Sequence, residues 1–162
     1  MVDRLSGVPR SQFFTRLAKE IAPQALLLAV RGRVIQDGDR RWFRRVTPTS
    51  FDQASIRAEA VAFADFTVEV AARHDLDRRK IVFLGYSNGA NLISSIMLLL
   101  PGLIARAVLL RAMPVLDESP PADLGDTKIL VVAGERDETY ARFAPDLVPL
   151  LRGRGANVAA FA

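Results

Sequence analysis

Apolar runs of strand length alternate with longer stretches of helical spacing, and this alternation restricts the possible folds more than any other feature of the chain. Residues 25–30, 80–84, 104–110 and 128–133 are rich in Ile, Leu, Val and Ala, and residues 158–161 read as the start of a further strand. Between them lie helical segments at 9–22, 51–73, 90–100 and 140–152. The segment 51–73 carries Phe51, Ile56, Ala60, Phe63 and Val70 at intervals that keep them on one helical face, with Ser50 or Asp52 available as a cap. The segment 90–100 stops at Pro101-Gly102, and 140–152 stops at Gly153. Continuous apolar strands separated by helices predict an α/β protein: a mostly parallel sheet with helices on both faces. Ligands of such sheets bind beyond the carboxyl ends of the strands, so functional residues should follow strands.

The chain has 162 residues, half of them hydrophobic, which suits one domain spanning 1–162 with a sizeable core. There is no cysteine, so disulfides and thiolate chemistry are excluded. The first residues show no secretory pattern, and the apolar stretch 92–110 is broken by Pro101-Gly102 and Arg106. Neither half reaches the roughly 20 residues of a membrane span, and a cytoplasmic location is expected. The net charge is +4, nearly all of the positive charge being arginine. That balance suits an anionic partner. No nucleic-acid recognition motif accompanies it, so nucleic acid is not an expected partner.

The chemistry concentrates at Gly85-Tyr86-Ser87-Asn88-Gly89, which follows one apolar run and opens a helical one. In this strand–turn–helix setting a Gly-x-Ser-x-Gly sequence lifts the serine hydroxyl clear of the sheet. Glycines on either side lack the Cβ atoms that would collide with the neighbouring strand and helix. The backbone N–H of Asn88 then faces a bound carbonyl oxygen, and the helix N-terminus favours the negative charge that develops there. Asp137 follows the run 128–133 and comes after Ser87 in the chain, the order of a Ser…Asp…His triad. It could equally be a solvated loop acid or a helix cap, and Glu135 and Glu138 are weaker alternatives. His74 is the only histidine. It precedes the strand that Ser87 follows, which puts it on the order of 17 Å away, at the opposite edge of the sheet. A general base must approach within about 3.2 Å.

Six arginines, Arg31, Arg33, Arg40, Arg41, Arg44 and Arg45, fall close together around Trp42 and Phe43. Placed after the run 25–30, they could bind an anionic substrate group, with Arg31, Arg33, Arg44 and Arg45 as the candidate contacts. They could also meet single-stranded nucleic acid, or form a solvated loop with a few structural pairs. Asp37-Gly38-Asp39 reads as a turn within this stretch.

The sequence resembles the small carboxylesterase/phospholipase group of α/β-hydrolases, relatives of the acyl-protein thioesterases. The likeness runs from about residue 23 to 158. It rests on Arg31-Gly32-Arg33-Val34, Trp42-Phe43-Arg44-Arg45, Leu84-Gly85-Tyr86-Ser87-Asn88-Gly89-Ala90-Asn91, Leu109-Leu110-Arg111-Ala112-Met113-Pro114 and Gly134-Glu135-Arg136-Asp137. The resemblance implies an α/β-hydrolase fold with Ser87 as nucleophile and Asp137 as triad acid. It also implies acyl transfer from a carboxylester, thioester or lysophospholipid, with no metal or organic cofactor. Two departures stand out. The His-Gly segment that supplies the group's second oxyanion donor is not found in residues 1–8, and the Gly-His stretch bearing its catalytic histidine is not found after residue 158. The expectation is therefore an incomplete member, trimmed at both ends, with little turnover of its own. Either the runs 25–30 and 80–84 pair directly, or a strand edge stays open to a second copy. The competing expectation is a binding module for an anionic ligand that performs no catalysis.

Overall fold

A computed structural model describes residues 10–134 and 144–161. The chain divides into two compact units, Met1–Arg31 and Gly32–Ala162. The first contains helix α1 (Arg10–Ile21) followed by an extended segment. Residues 26–33 form no strand, contrary to the expectation for 25–30. Leu26, Leu27, Leu28 and Val30 are 38–61% exposed, and no ladder partner is present for them among the described residues. An apolar run supplies side chains for a strand, but the ladder needs a neighbouring backbone.

The second unit begins with a hairpin of β1 (Val34–Gln36) and β2 (Asp39–Arg41). Asp37 and Gly38, both at positive φ (54° and 79°), make the two-residue turn expected from Asp-Gly. Helix α2 (Gln53–Arg73) follows, capped by the Asp52 carboxylate accepting from Ser55 N–H at 3.0 Å. It buries Ile56, Ala60, Ala64, Thr67 and Ala71 along one stripe. Then come β3 (Phe83–Tyr86), α3 (Asn88–Leu99), β4 (Arg106–Leu110), β5 (Lys128–Val132), α4 (Ala144–Gly153) and β6 (Asn157–Phe161).

The four strands β3-β4-β5-β6 pair in that order, all parallel. In register, Phe83, Ala107, Ile129 and Val158 form one buried row. The next row, Leu84, Val108, Leu130 and Ala159, is half-buried to exposed. Helix α3 is apolar nearly all round and buried from Ala90 to Leu98, as a helix without a polar face must be. The sheet and α2–α4 thus enclose one core, centred on Leu92, Ile96, Leu109, Val131, Leu147 and Leu151.

One expectation about β3 needs correction: it begins three residues later than the run 80–84 suggests, because Ile81 N–H still bonds back to Arg78 O in the preceding 3-10 turn Arg78–Lys80. It lies at the edge of the described sheet, with Leu84 40% exposed on it and Val82, just before it, 55% exposed.

Candidate active site

Ser87 stands between β3 and α3 with φ 51° and ψ −116°, a conformation that costs a non-glycine residue about 1–3 kcal/mol. Its backbone holds this position from both sides. Ser87 N–H donates to Leu110 O at 2.8 Å, continuing the ladder to β4, and its carbonyl accepts from Asn91 N–H at 2.9 Å inside α3. The side chain is half-buried and makes no cap hydrogen bond. A serine at a helix start usually caps with its oxygen; here the hydroxyl makes no such bond.

The flanking glycines meet different demands. A Cβ on Gly85 would lie 2.6 Å from both N and Cα of Ala90, so strand and helix touch backbone to backbone here. A Cβ on Gly89 would lie 3.1 Å from Nε1 of Trp42, a side chain from a distant segment and not the strand or helix expected. Trp42 is fixed by three contacts. Its N–H donates to Asn88 Oδ1 at 2.7 Å, its ring stands edge-on to Phe63 at 5.4 Å, and a Cβ on Gly32 would lie 2.8 Å from its nitrogen. Asn88 is thus the first residue of α3 and the anchor of the Trp42 loop. Its own N–H, like the others of a first helical turn, has no acceptor within the helix.

Further polar cross-links hold this rim. Buried Asn91 accepts from Met113 N–H at 2.9 Å through Oδ1, tying α3 to the segment after β4. Gln53 donates to Val115 O at 3.0 Å and accepts from Asp117 N–H at 3.2 Å. Arg111, at φ 53° just past β4, donates to the Tyr86 hydroxyl at 2.5 Å, its guanidinium carbon 5.5 Å from the Tyr86 ring centre.

Asp137 lies outside the described residues, as do Glu135 and Glu138. The strand before them, β5, runs parallel to β3, so its carboxyl end at Ala133-Gly134 opens on the same rim as Ser87. His74 ends α2, its N–H bonded to Val70 O at 3.1 Å, and it is exposed at the amino end of β3. The whole length of β3 separates it from Ser87.

The four candidate arginines are not equivalent. Arg33 forms two 3.0 Å hydrogen bonds to the Glu59 carboxylate on α2, first by hydrogen bonding and then by charge holding its guanidinium more firmly protonated. Arg44 is exposed, its backbone N–H bonded to Ser55 Oγ at 3.0 Å. Arg45 is half-buried; its backbone exchanges two 2.9 Å bonds with the Gln36 side chain, while its Nε is buried without a hydrogen-bond partner. Arg41 Nε is in the same state. Arg31 is exposed in the first unit. Missing from the sequence reading were the tie between Trp42 and Asn88 and the special state of Arg41. The first joins residues 46 apart and leaves no local pattern.

No family model matches the sequence. Solved structures and one curated protein do. A carboxylesterase from Mesorhizobium loti is 54% identical with a TM-score of 0.89, covering 96% of this chain and 74% of that one. The Bacillus cereus carboxylesterase is 30% identical with a TM-score of 0.87, over 93% of this chain and 72% of that one. The protein MhqD of Bacillus subtilis (strain 168) is 29% identical over 146 residues, 90% of this chain and 73% of its own length.

Proposed function

Because this chain belongs to the carboxylesterases of the α/β-hydrolase fold, we propose that Ser87 is the nucleophile of an acyl-transfer site on the carboxyl rim of its sheet. The observation that carries this reading is the Ser87 backbone: a positive φ, held on both sides, with a hydroxyl that makes no cap bond. In this reading Ser87 Oγ attacks the carbonyl carbon of a carboxylester, and Asn88 N–H donates to the oxyanion as the C–O bond to the alcohol breaks. Water then releases the acid. Asp137 serves as the acid that orients a histidine. Thioesters and lysophospholipids fall within the same chemistry.

The sole histidine of the 162 residues, His74, sits at the other end of β3, so this polypeptide supplies Ser87 with no base of its own. Loss of a triad histidine lowers turnover about 10⁶-fold, roughly 8 kcal/mol of barrier. The 162-residue chain is therefore expected to hydrolyse p-nitrophenyl acetate at background rate. Imidazole added to the solution supplies a substitute base, and the extra rate it gives over the Ser87→Ala variant measures nucleophilic Ser87. Equal imidazole rates for the two proteins would remove Ser87 from the reaction. Histidine-independent turnover abolished by Ser87→Ala would show that another group acts as base.

The buried, unpartnered Nε atoms of Arg41 and Arg45 favour a second reading, in which an anionic group binds there. Calorimetric titration with acetate and with inorganic phosphate tests it. Binding lost in Arg45→Met supports an anion subsite, and binding unaffected by it argues for a structural role.

A further inference from the structure

Trp42 is the only tryptophan of the chain, and it packs against the core while staying only half-buried. Phe43 beside it is fully buried and packs edge-on against Phe51, whereas Trp42 stays half-buried. Its backbone is tied to the first residue of α3, and its indole edge lies against Gly89, two residues past Ser87. Phe63 supports the ring edge-on, at an interplanar angle of 87°. The indole is thus held next to the turn that carries Ser87, by its backbone, by an aromatic support and by a glycine two residues past the serine. Rigid aromatic walls lose little entropy on contact and favour flat, polarisable partners.

We propose that Trp42 is a specificity-determining wall of the Ser87 site, selecting esters that carry an aryl group on that side, and that the Asn88 side chain is the positioning residue that holds it. The proposal rests on the reading of Ser87 as nucleophile. Gly89 is small because a side chain there would push the indole away from the turn. Asn88 then has two separate duties: its backbone N–H faces the oxyanion, and its side-chain oxygen sets the distance between wall and nucleophile.

The test uses phenylacetone and cyclohexylacetone, ketone isosteres of aryl and cycloalkyl acetates that no hydrolase turns over. The ¹⁵N-labelled chain gives a single indole N–H signal, and its Ser87 and Asn88 amide signals report the turn separately. With phenylacetone, the indole signal and both amide signals are expected to shift with one dissociation constant, roughly three- to tenfold lower than that for cyclohexylacetone. Trp42→Leu brings the ratio close to one, whereas Trp42→Phe keeps most of it. Asn88→Ala lowers the ratio and Asn88→Asp, which retains an acceptor oxygen, restores it. A positioning role requires that rescue, and its failure overturns the part given to Asn88. Amide shifts at 87 and 88 with equal constants for the two ketones, unchanged in Trp42→Leu and Trp42→Phe, would overturn the wall and leave Ser87 as the reactive group. Indole shifts without amide shifts would place the aryl site away from Ser87 and overturn the wall as well. No shift at any of these signals would overturn the ester site itself, and the wall with it.

Discussion

The two ends of strand β3 are held differently. At the carboxyl rim, polar side chains reach across the chain to backbone groups of other segments: Asn88 to Trp42, Asn91 to Met113, Gln53 to Val115 and Asp117. At the amino rim the side-chain bonds around β3 are local. Asp77 accepts from Arg79 N–H two residues on, and Arg73 pairs with Glu69 within α2. Local caps end an element; long-range ties fix one element relative to another. Before β4, β5 and β6 the amino rim is also cross-linked, by Thr127 Oγ1 to Ile104 O at 3.4 Å and by Arg154 to Ser119 O at 3.1 Å, so the contrast belongs to the two ends of β3: the end that carries Ser87 is tied over long range, as a site needing sub-ångström placement requires.

If that contrast is right, substitutions on the two rims should differ in kind. The largest effect is expected from Gly85→Ala. The added methyl meets Ala90 backbone at 2.6 Å, so β3 and α3 must separate, costing about 3 kcal/mol or more in urea unfolding. Asn91→Ala should cost about 1–3 kcal/mol, because Met113 N–H is left buried without an acceptor. Ser87→Gly works in the opposite direction. Relief of the positive φ is expected to stabilise the fold by roughly 1 kcal/mol while removing the proposed nucleophile, and a destabilised variant would mean that the turn stores no strain.

The amino rim should barely respond. The backbone N–H of Arg79, helped by nearby positive charges, holds the Asp77 carboxyl below its ordinary range. Its contribution is thus fully present above the unfolded carboxylate pKa and is lost only as pH falls through the lowered folded value. Asp77→Asn should be slightly less stable than the parent chain from neutrality down to about pH 5, and the two unfolding curves should converge in stronger acid, where Asp77 too is neutral. His74→Ala should leave the imidazole-assisted rate untouched. A change in that rate would bring the two rims into contact that the length of β3 forbids.

A third region, the outer edge of β3, belongs to neither rim. Exposed Leu84 lies on this strand and exposed Val82 just before it, with no neighbouring strand on that side among the described residues. Such an edge is a template for a second chain. We expect association that grows with concentration in solution scattering and falls in Val82→Lys; a monomer at all concentrations would mean that the edge is covered.

Much of this arrangement was legible in the sequence because it is local. Asp52 caps α2, Pro101-Gly102 follows α3, and the runs at 104–110 and 128–133 contain β4 and β5. The serine turn was legible for the same reason, its glycines and flanking elements being contiguous. Residues 25–30 have the apolarity of a strand but not its pairing, which depends on a neighbour that no local pattern announces. Asp37-Gly38 was read as a turn, yet with Val34-Ile35 before it and charged residues after it the hairpin was also within reach. Trp42 and Asn88 were each noticed, one as an aromatic among arginines and the other for its backbone. Their hydrogen bond depends on tertiary placement alone.

Whether residue 87 acts as the nucleophile proposed for it is read by mass spectrometry of the 162-residue chain after incubation with p-nitrophenyl acetate and imidazole. An acetyl group is expected on Ser87 and absent from that peptide in Ser87→Ala. An unmodified Ser87 peptide beside acetylated lysines would exclude Ser87 as the nucleophile.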